Sequence, residues 1–242
     1  MAITKGTEVT QDFGTGQAGP ITSVVSTSAG DLLVAVIYDL VNSGGSFGIT
    51  FDGDALTKAS EGSSASPNSR ITVFYLQNCS AKADKNLVFT KTGGTGGMTA
   101  CTSCTFSGVA TSSALVTYGS TTSDMFKPYT PATSGNLLIV TSSCTNAYTY
   151  GWPWVKKAST TALTNASGDN FGWGYQITSD TAARDVGWEK GLGTSPFCLI
   201  NEFLIASGIS TSIKTVNGLA KASVKTVDDL AIASVKSING LT

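Results

Sequence analysis

Residues 30–40 read GDLLVAVIYDL, a short apolar run that follows a Gly-Asp turn signal. A run of this length, rich in Val, Ile and Leu and bounded by turn residues, is typical of a strand that is buried inside a sheet. Similar runs recur between clusters of Gly, Ser, Asn and Asp along the chain, and we find no convincing helical period. The sequence therefore predicts an all-β protein.

The predicted strands fall into two series. The Asp52-Gly53 dipeptide lies between two apolar runs of the first series and predicts a tight hairpin turn. The strand candidates of the first series are 31–40, 46–51, 71–77, 86–90, 99–108 and 114–118, and those of the second are 136–143, 150–157, 171–178, 184–189 and 197–206.

The two series resemble two copies of one plan, because short segments recur in the same order at an offset near 100 residues. A single match of this kind would be noise, whereas several in one order predict an internal duplication. The matching pairs are GDLLV (30–34) with GNLLI (135–139), KAS (58–60) with KAS (157–159), FYLQ (74–77) with WGYQ (173–176), and CTSCTF (101–106) with CLINEF (198–203).

Strands of this length and spacing predict an antiparallel β-sandwich of the jelly-roll kind with internal duplication. We place its first half at residues 1–120 and its aromatic-rich second half at 121–208. The Ser/Thr-rich segment 121–134, which contains two prolines, is predicted to join the halves. Two small sandwiches side by side are the alternative to one large sandwich or an intimately packed pair.

Residues 209–242 form a repetitive tail with an eleven-residue period. Its units are SIKTVNGLAKA (212–222), SVKTVDDLAIA (223–233) and SVKSINGLT (234–242). The period matches a helix, whereas Asn-Gly favours hairpins, so strand and helix both stay open. So short a segment cannot bury its own apolar side chains, and we predict that it is an assembly device. The apolar assembly residues are Ile213, Val216, Leu219, Val224, Val227, Leu230, Val235, Ile238 and Leu241.

Composition and charge narrow the possible functions. The 242 residues include 15 basic and 16 acidic side chains, a net charge of −1, and no histidine. The balanced charge argues against a nucleic-acid partner, and the absent histidine removes the usual general base and the commonest metal ligand. No apolar run approaches the ~18 residues that cross a bilayer, and the N-terminus shows no export signal. We predict a non-enzymatic protein without catalytic residues, cofactor, metal or membrane insertion.

The cysteines and the aromatic residues offer further candidates. An odd number of cysteines, five, does not suggest a disulfide framework, so we expect mostly reduced, buried thiols. All four tryptophans lie in the second series, where alternation would place Tyr150, Trp152 and Trp154 on one face of a strand. Together with Trp173 they are candidates for glycan or subunit contact, and packing in the core is the alternative.

The tail units KTVNGLA (214–220), KTVDDLA (225–231) and KSINGLT (236–242) resemble C-terminal repeats of phage virion and appendage proteins. The body segments GDLLVAVIYDL (30–40) and FCLINEFLIA (197–206) are similar to β-sandwich domains of tail fibres, capsid decoration proteins and bacterial surface proteins. The resemblance implies a structural subunit at the surface of a virion or extracellular filament.

Such a subunit would form homo-oligomers and would contact other subunits of the virion or filament. The alternative that the resemblance leaves open is an adhesion module that binds a host receptor or a cell-surface glycan.

Overall fold

Strands form all the regular secondary structure that is described, and the prediction of an all-β chain is confirmed. Every described strand pairing is antiparallel. Within the described residues there is no helix long and apolar enough to cross a membrane. The structure, a computed structural model, describes residues 2–39, 44–63, 69–94, 97–122, 125–145, 155–156, 161–166, 171–189 and 194–206, and in the tail 215–216, 219–220, 226–227 and 230–231.

The first half of the body consists of two sheets. The strands are β1 (Thr4–Gln17), β2 (Ile21–Thr27), β3 (Leu32–Asp39), β4 (Ser46–Phe51), β5 (Asp54–Ala55), β6 (Thr57–Ser63), β7 (Arg70–Leu76), β8 (Lys82–Thr92) and β9 (Met98–Ser107). The first inner sheet has the order β1-β9-β3-β7-β6, and the first outer sheet has the order β2-β8-β4-β5. Leu33 and Ile37 of the inner sheet pack with Phe51, Leu87 and Phe89 of the outer sheet in one apolar cluster.

The second half repeats this arrangement. Its strands are β10 (Leu115–Thr121), β11 (Phe126–Tyr129), β12 (Leu137–Thr145), β13 (Val155–Lys156), β14 (Thr161–Ala166), β15 (Phe171–Ile177), β16 (Arg184–Glu189) and β17 (Thr194–Phe203). The second inner sheet has the order β10-β17-β12-β15-β14, and the second outer sheet has the order β11-β16-β13. Apart from β5, each strand of the first half has a counterpart at the same place in the second.

The strand registers agree with most of the sequence matches. Leu33 pairs with Thr105 in the first half, and Leu138 pairs with Glu202 in the second, as the matched segments require. Along β7 and β15 the predicted match is wrong by one residue, since Val34 pairs with Tyr75 while Ile139 pairs with Tyr175. Tyr75 therefore corresponds to Tyr175 and not to Gly174. The second KAS segment (157–159) lies outside the described residues.

The two inner sheets share a central cluster, which contains apolar side chains from both halves, among them Val34, Tyr38, Ile139 and Trp173. Strand β3 is buried along its whole length because alternate residues face the central cluster and the apolar cluster between the first inner and outer sheets, which we call the first-half cluster. A strand buried on both faces needs no polar alternation, which explains the continuous apolar run in the sequence.

Two aromatic contacts in the central cluster are copies of each other. Tyr75 and Phe203 meet edge to face with ring centroids 5.4 Å apart and planes at 66°. Phe106 and Tyr175 meet at 5.5 Å and 64°. Since Tyr75 corresponds to Tyr175 and Phe106 to Phe203, exchanging the halves converts one contact into the other. The halves are thus related by an approximate two-fold axis at this interface, as in an isologous dimer.

Three details of the body can be compared with the sequence predictions. The Asp52-Gly53 turn is confirmed, with φ of 49° and 93° between β4 and β5. The boundary at residue 120 is wrong, because β10 pairs with β17 and so belongs to the second half. The segment 121–134, which was predicted to join the halves, contains β11, and β11 tolerates Pro128 because it is an edge strand.

Candidate functional site

The repetitive tail contains two small hairpins. Their strands are β18 (Thr215–Val216), β19 (Leu219–Ala220), β20 (Thr226–Val227) and β21 (Leu230–Ala231). Val216 pairs with Leu219, and Val227 pairs with Leu230, so that two residues separate the strands of each hairpin. These described residues are therefore strands and not helix. The hairpins recur with the eleven-residue period of the sequence.

Only part of the predicted assembly set can be located. The backbones of Val216, Leu219, Val227 and Leu230 form the hairpin strands, with apolar residues directly opposite each other. The chain divides into two compact units, one comprising residues 2–205 and the other residue 1 with residues 206–242. The remaining predicted assembly residues, Ile213, Val224, Val235, Ile238 and Leu241, lie outside the described residues.

The described tryptophans are core residues. Trp173 is fully buried in the central cluster, and Trp188 is fully buried between the second inner and outer sheets. For Trp173 the core alternative holds, and its side chain is not exposed to a glycan. Tyr150, Trp152 and Trp154 lie outside the described residues.

A buried carboxylate closes one end of the second half. Glu202 of β17 is fully buried and accepts a hydrogen bond of 2.8 Å from the Tyr129 hydroxyl. Its other oxygen accepts hydrogen bonds from the Asn136 side-chain amide at 2.6 Å and from the Ala132 backbone amide at 2.8 Å. Burial, and then the hydrogen bond to Glu202, raises the pKa of Tyr129. Sequence analysis did not identify this network, which joins residues far apart in the chain.

A second buried charge cluster lies in the first half. Asp39 is within 3.6 Å of the Arg70 guanidinium and 3.4 Å of the Lys91 ammonium. Arg70 also donates to the backbone carbonyls of Gly44 and Gly45, at 3.2 Å and 2.9 Å. All of these charges are partnered inside the protein, as buried charges have to be. We interpret the cluster as structural.

Cys79, Cys101, Cys104 and Cys198 are free and buried, as predicted. Cys101 packs in the first-half cluster and Cys104 in the central cluster, so the CxxC pair lies on opposite faces of β9. Burial raises the pKa of Cys79 from 9.0 to about 11. Burial likewise raises the pKa of Cys104 and of Cys198 to about 12, and it raises the pKa of Cys101.

These thiols predict a loss of stability in alkali. An unfolded thiol loses its proton above pH 9, whereas the buried thiols keep theirs, so the stabilisation is complete below pH 9 and falls as the pH rises. Urea unfolding across this range should show that Cys101→Ala reduces the negative slope by about 1.4 kcal/mol per pH unit. The exposed control Val116→Ala, which removes no titratable group, should leave the slope unchanged. An identical slope in Cys101→Ala would contradict the assignment.

A polar cleft of about 310 Å³ lies at one end of the first half. Lys5 of β1 and Asp31, which precedes β3, bring opposite charges to it. Asp31 is almost fully buried, and its Oδ2 accepts a hydrogen bond of 2.7 Å from the Ser28 amide. The other polar side chains of the lining are hydroxyls, among them Thr7, Ser26, Thr27, Ser28, Thr105 and Ser107. Sequence analysis did not predict that these separate segments meet.

No protein-family model, no curated protein and no solved structure matches the chain. Among the residues that the structure describes, no group of three or more His, Cys, Asp or Glu side chains could hold a metal ion. The function therefore has to be inferred from the geometry of the chain itself.

Proposed function

We propose that the protein is a non-enzymatic structural subunit of a virion or extracellular filament that self-assembles through its C-terminal repeats. The observation that carries the proposal is the recurrence of the same small hairpin in successive tail repeats. An isolated two-stranded hairpin is at best marginally stable in water. Hairpins in tandem therefore need a partner surface, and strand addition from another subunit supplies backbone hydrogen bonds together with apolar contacts.

The body supports the same proposal. If β6 is set aside, the orders β1-β9-β3-β7 and β2-β8-β4-β5 match those of a jelly-roll sandwich, and β10–β17 follow the same scheme. Jelly rolls are common in viral capsid proteins. We infer that the body is a duplicated jelly-roll sandwich, in which the inner sheets of the two copies pack against each other. A fold alone does not define a function, so the tail carries the proposal.

The buried charges favour a structural role over catalysis. Glu202 is held by three hydrogen bonds, and Asp39 by two cations, all from the protein itself. A catalytic acid or base has to reach a substrate within hydrogen-bond distance. Groups that are buried and fully engaged in this way instead stabilise a rigid body.

The second candidate is an adhesion module that binds a host receptor or a glycan. Jelly rolls also occur as lectin domains, and the polar cleft of the first half is the specific observation in its favour. A structural subunit that is displayed on a particle can also carry such a site, so the two functions do not exclude each other.

Charged substitutions in the tail test the assembly proposal. The double variant Val216→Asp with Val227→Asp places a carboxylate in each described hairpin, and burial of an unpaired charge at a subunit contact is costly. Sedimentation velocity should show oligomers for the natural protein and single chains for this variant. The control, Lys214→Gln with Lys225→Gln, should still form oligomers. A natural protein that sediments as a single chain at every concentration would overturn the proposal.

A further inference from the structure

We propose that the polar cleft of the first half binds a neutral polyhydroxylated ligand, one sugar residue of a glycan. The site goes beyond the structural role and does not depend on it, because the cleft lies within residues 2–205 and involves no tail residue.

The size of the cleft suits one sugar ring. Its volume of about 310 Å³ lies at the lower end of the range of ~300–1,000 Å³ that is usual for small-molecule sites. A cleft of this volume has room for a single sugar ring.

In the second half, a polar side chain occupies the position that corresponds to this cleft. Thr105 corresponds to Glu202 through the shared register with β3 and β12. Asp31 directly precedes β3, as Asn136 directly precedes β12. In the second half the Glu202 carboxylate reaches Asn136 and closes this end. In the first half the shorter Thr105 leaves the space open, with Asp31 in its wall.

The chemistry of the wall selects hydroxyl groups. Ser and Thr hydroxyls both donate and accept hydrogen bonds, whereas an ionised Asp31 only accepts and a protonated Lys5 only donates. Sugar hydroxyls can satisfy all three kinds of partner. Lys5 and Asp31 are the charged residues of the lining, and the Lys5 ammonium lies 3.8 Å from the Glu8 carboxylate. Because the wall carries both donors and acceptors, a polyol fits it better than a phosphate, which only accepts hydrogen bonds, or a protonated amine, which only donates them.

The Asp31 carboxylate is held in position before a ligand binds. Asp31 is only 6% exposed and is anchored by the Ser28 amide. A buried, fixed acceptor loses little hydration and little side-chain entropy on binding. A ligand hydroxyl that donates to it forms a charge-assisted hydrogen bond, which is stronger than a bond between neutral groups.

A bulge in β1 shapes the opposite wall. Lys5 pairs with Phe106 and Glu8 pairs with Cys104, so β1 contains one extra residue between these pairs. A Cβ at Gly6 would overlap the Thr105 hydroxyl, and only glycine allows β1 to approach this closely. Bulges are frequent beside functional sites, where they redirect side chains. Here the bulge places Lys5 and Thr7 along the cleft.

The composition of the cleft wall predicts that each subunit binds a sugar only weakly. None of the described lining residues is aromatic, so a sugar ring gains little of the apolar contact that an aromatic face provides. Several copies in one assembly would compensate, because linked sites gain avidity without new contacts.

Saturation-transfer NMR of the full-length protein with glucose, galactose, mannose and N-acetylglucosamine tests the site. At least one sugar should bind. Ser107→Trp, at an exposed lining residue, should fill the cleft and abolish this binding. Asp31→Asn should weaken it by about tenfold or more, because a hydrogen bond to a charged group is lost.

Two controls match these variants outside the cleft. Ser120→Trp adds the same side chain at an exposed position of β10, and Asp180→Asn removes an exposed carboxylate that pairs with Arg184. Both should bind sugar as the natural protein does. Failure of all four sugars to bind, or binding that survives Ser107→Trp, would overturn the proposal. Loss of sugar binding in Ser107→Trp with assembly intact separates this site from the structural role.

Discussion

Removal of the residues after Ser210 is expected to leave the body folded and to abolish self-association. Residues 2–205 form a compact unit with its own apolar clusters, and the hairpins lie in the other unit. Light scattering after size-exclusion chromatography should give the mass of a single chain for the truncated protein and a multiple of it for the full chain. Cooperative thermal unfolding of the truncated protein should persist, because its buried core is complete.

A matched deletion refines this experiment. Removal of only residues 223–233 takes out one repeat and keeps the register of the others. If each repeat makes its own contact, the protein with the shortened tail should associate more weakly than the full-length protein and more strongly than the protein truncated after Ser210. Equal masses for the full and truncated chains would show that the tail is not the assembly device.

Alanine at either copy of the aromatic contact between the inner sheets should be strongly destabilising. Phe203 and Phe106 are fully buried, and each meets a tyrosine of the opposite half. Truncation of a buried Phe to Ala typically costs about 3–5 kcal/mol. Because the two contacts have nearly the same geometry, Phe203→Ala and Phe106→Ala should lower the free energy of unfolding in urea by similar amounts.

The exposed residue Tyr118 provides the control for these variants. It is 55% exposed on the edge strand β10, and Tyr118→Ala should change the free energy of unfolding by roughly 0.5 kcal/mol or less. A near-neutral effect of one Phe variant beside a large effect of the other would contradict the two-fold relation between the halves.

The buried strands could be predicted from the sequence because their apolar runs are continuous. Strand β3 was predicted within one residue at each end, and β4 and β16 were predicted at their observed bounds. The polar strands β1 and β6 were missed. Both are edge strands of the first inner sheet, where exposed positions accept Thr, Lys, Glu and Gln and the apolar pattern disappears.

The one-residue error between β7 and β15 has a physical cause. FYLQ and WGYQ are similar as strings of letters, but neighbouring residues of a strand face opposite sides of the sheet. Tyr75 and Tyr175 both pack against the central cluster. Register is set by which side chains reach a core, and a comparison of residue types along one chain does not contain that information.

The candidate sites depend on contacts that are remote in sequence. The cleft joins β1, the end of β2, Asp31 and the end of β9. The Glu202 network joins β17 to Tyr129 of β11 and to residues between β11 and β12. Polar residues in these segments look like ordinary turns and strand ends. The tail differs, because its periodicity is local and its repeat could be recognised from the sequence alone, although the sequence left strand and helix both open.

Cryo-electron microscopy of the self-associated full-length protein tests the central claim most directly. The account predicts an ordered assembly in which density for residues 212–242 lies at the contacts between subunits and the bodies keep the fold described for residues 2–205. A field of separate single chains, or an assembly whose contacts are made by the bodies while the tails extend freely into solvent, would contradict it.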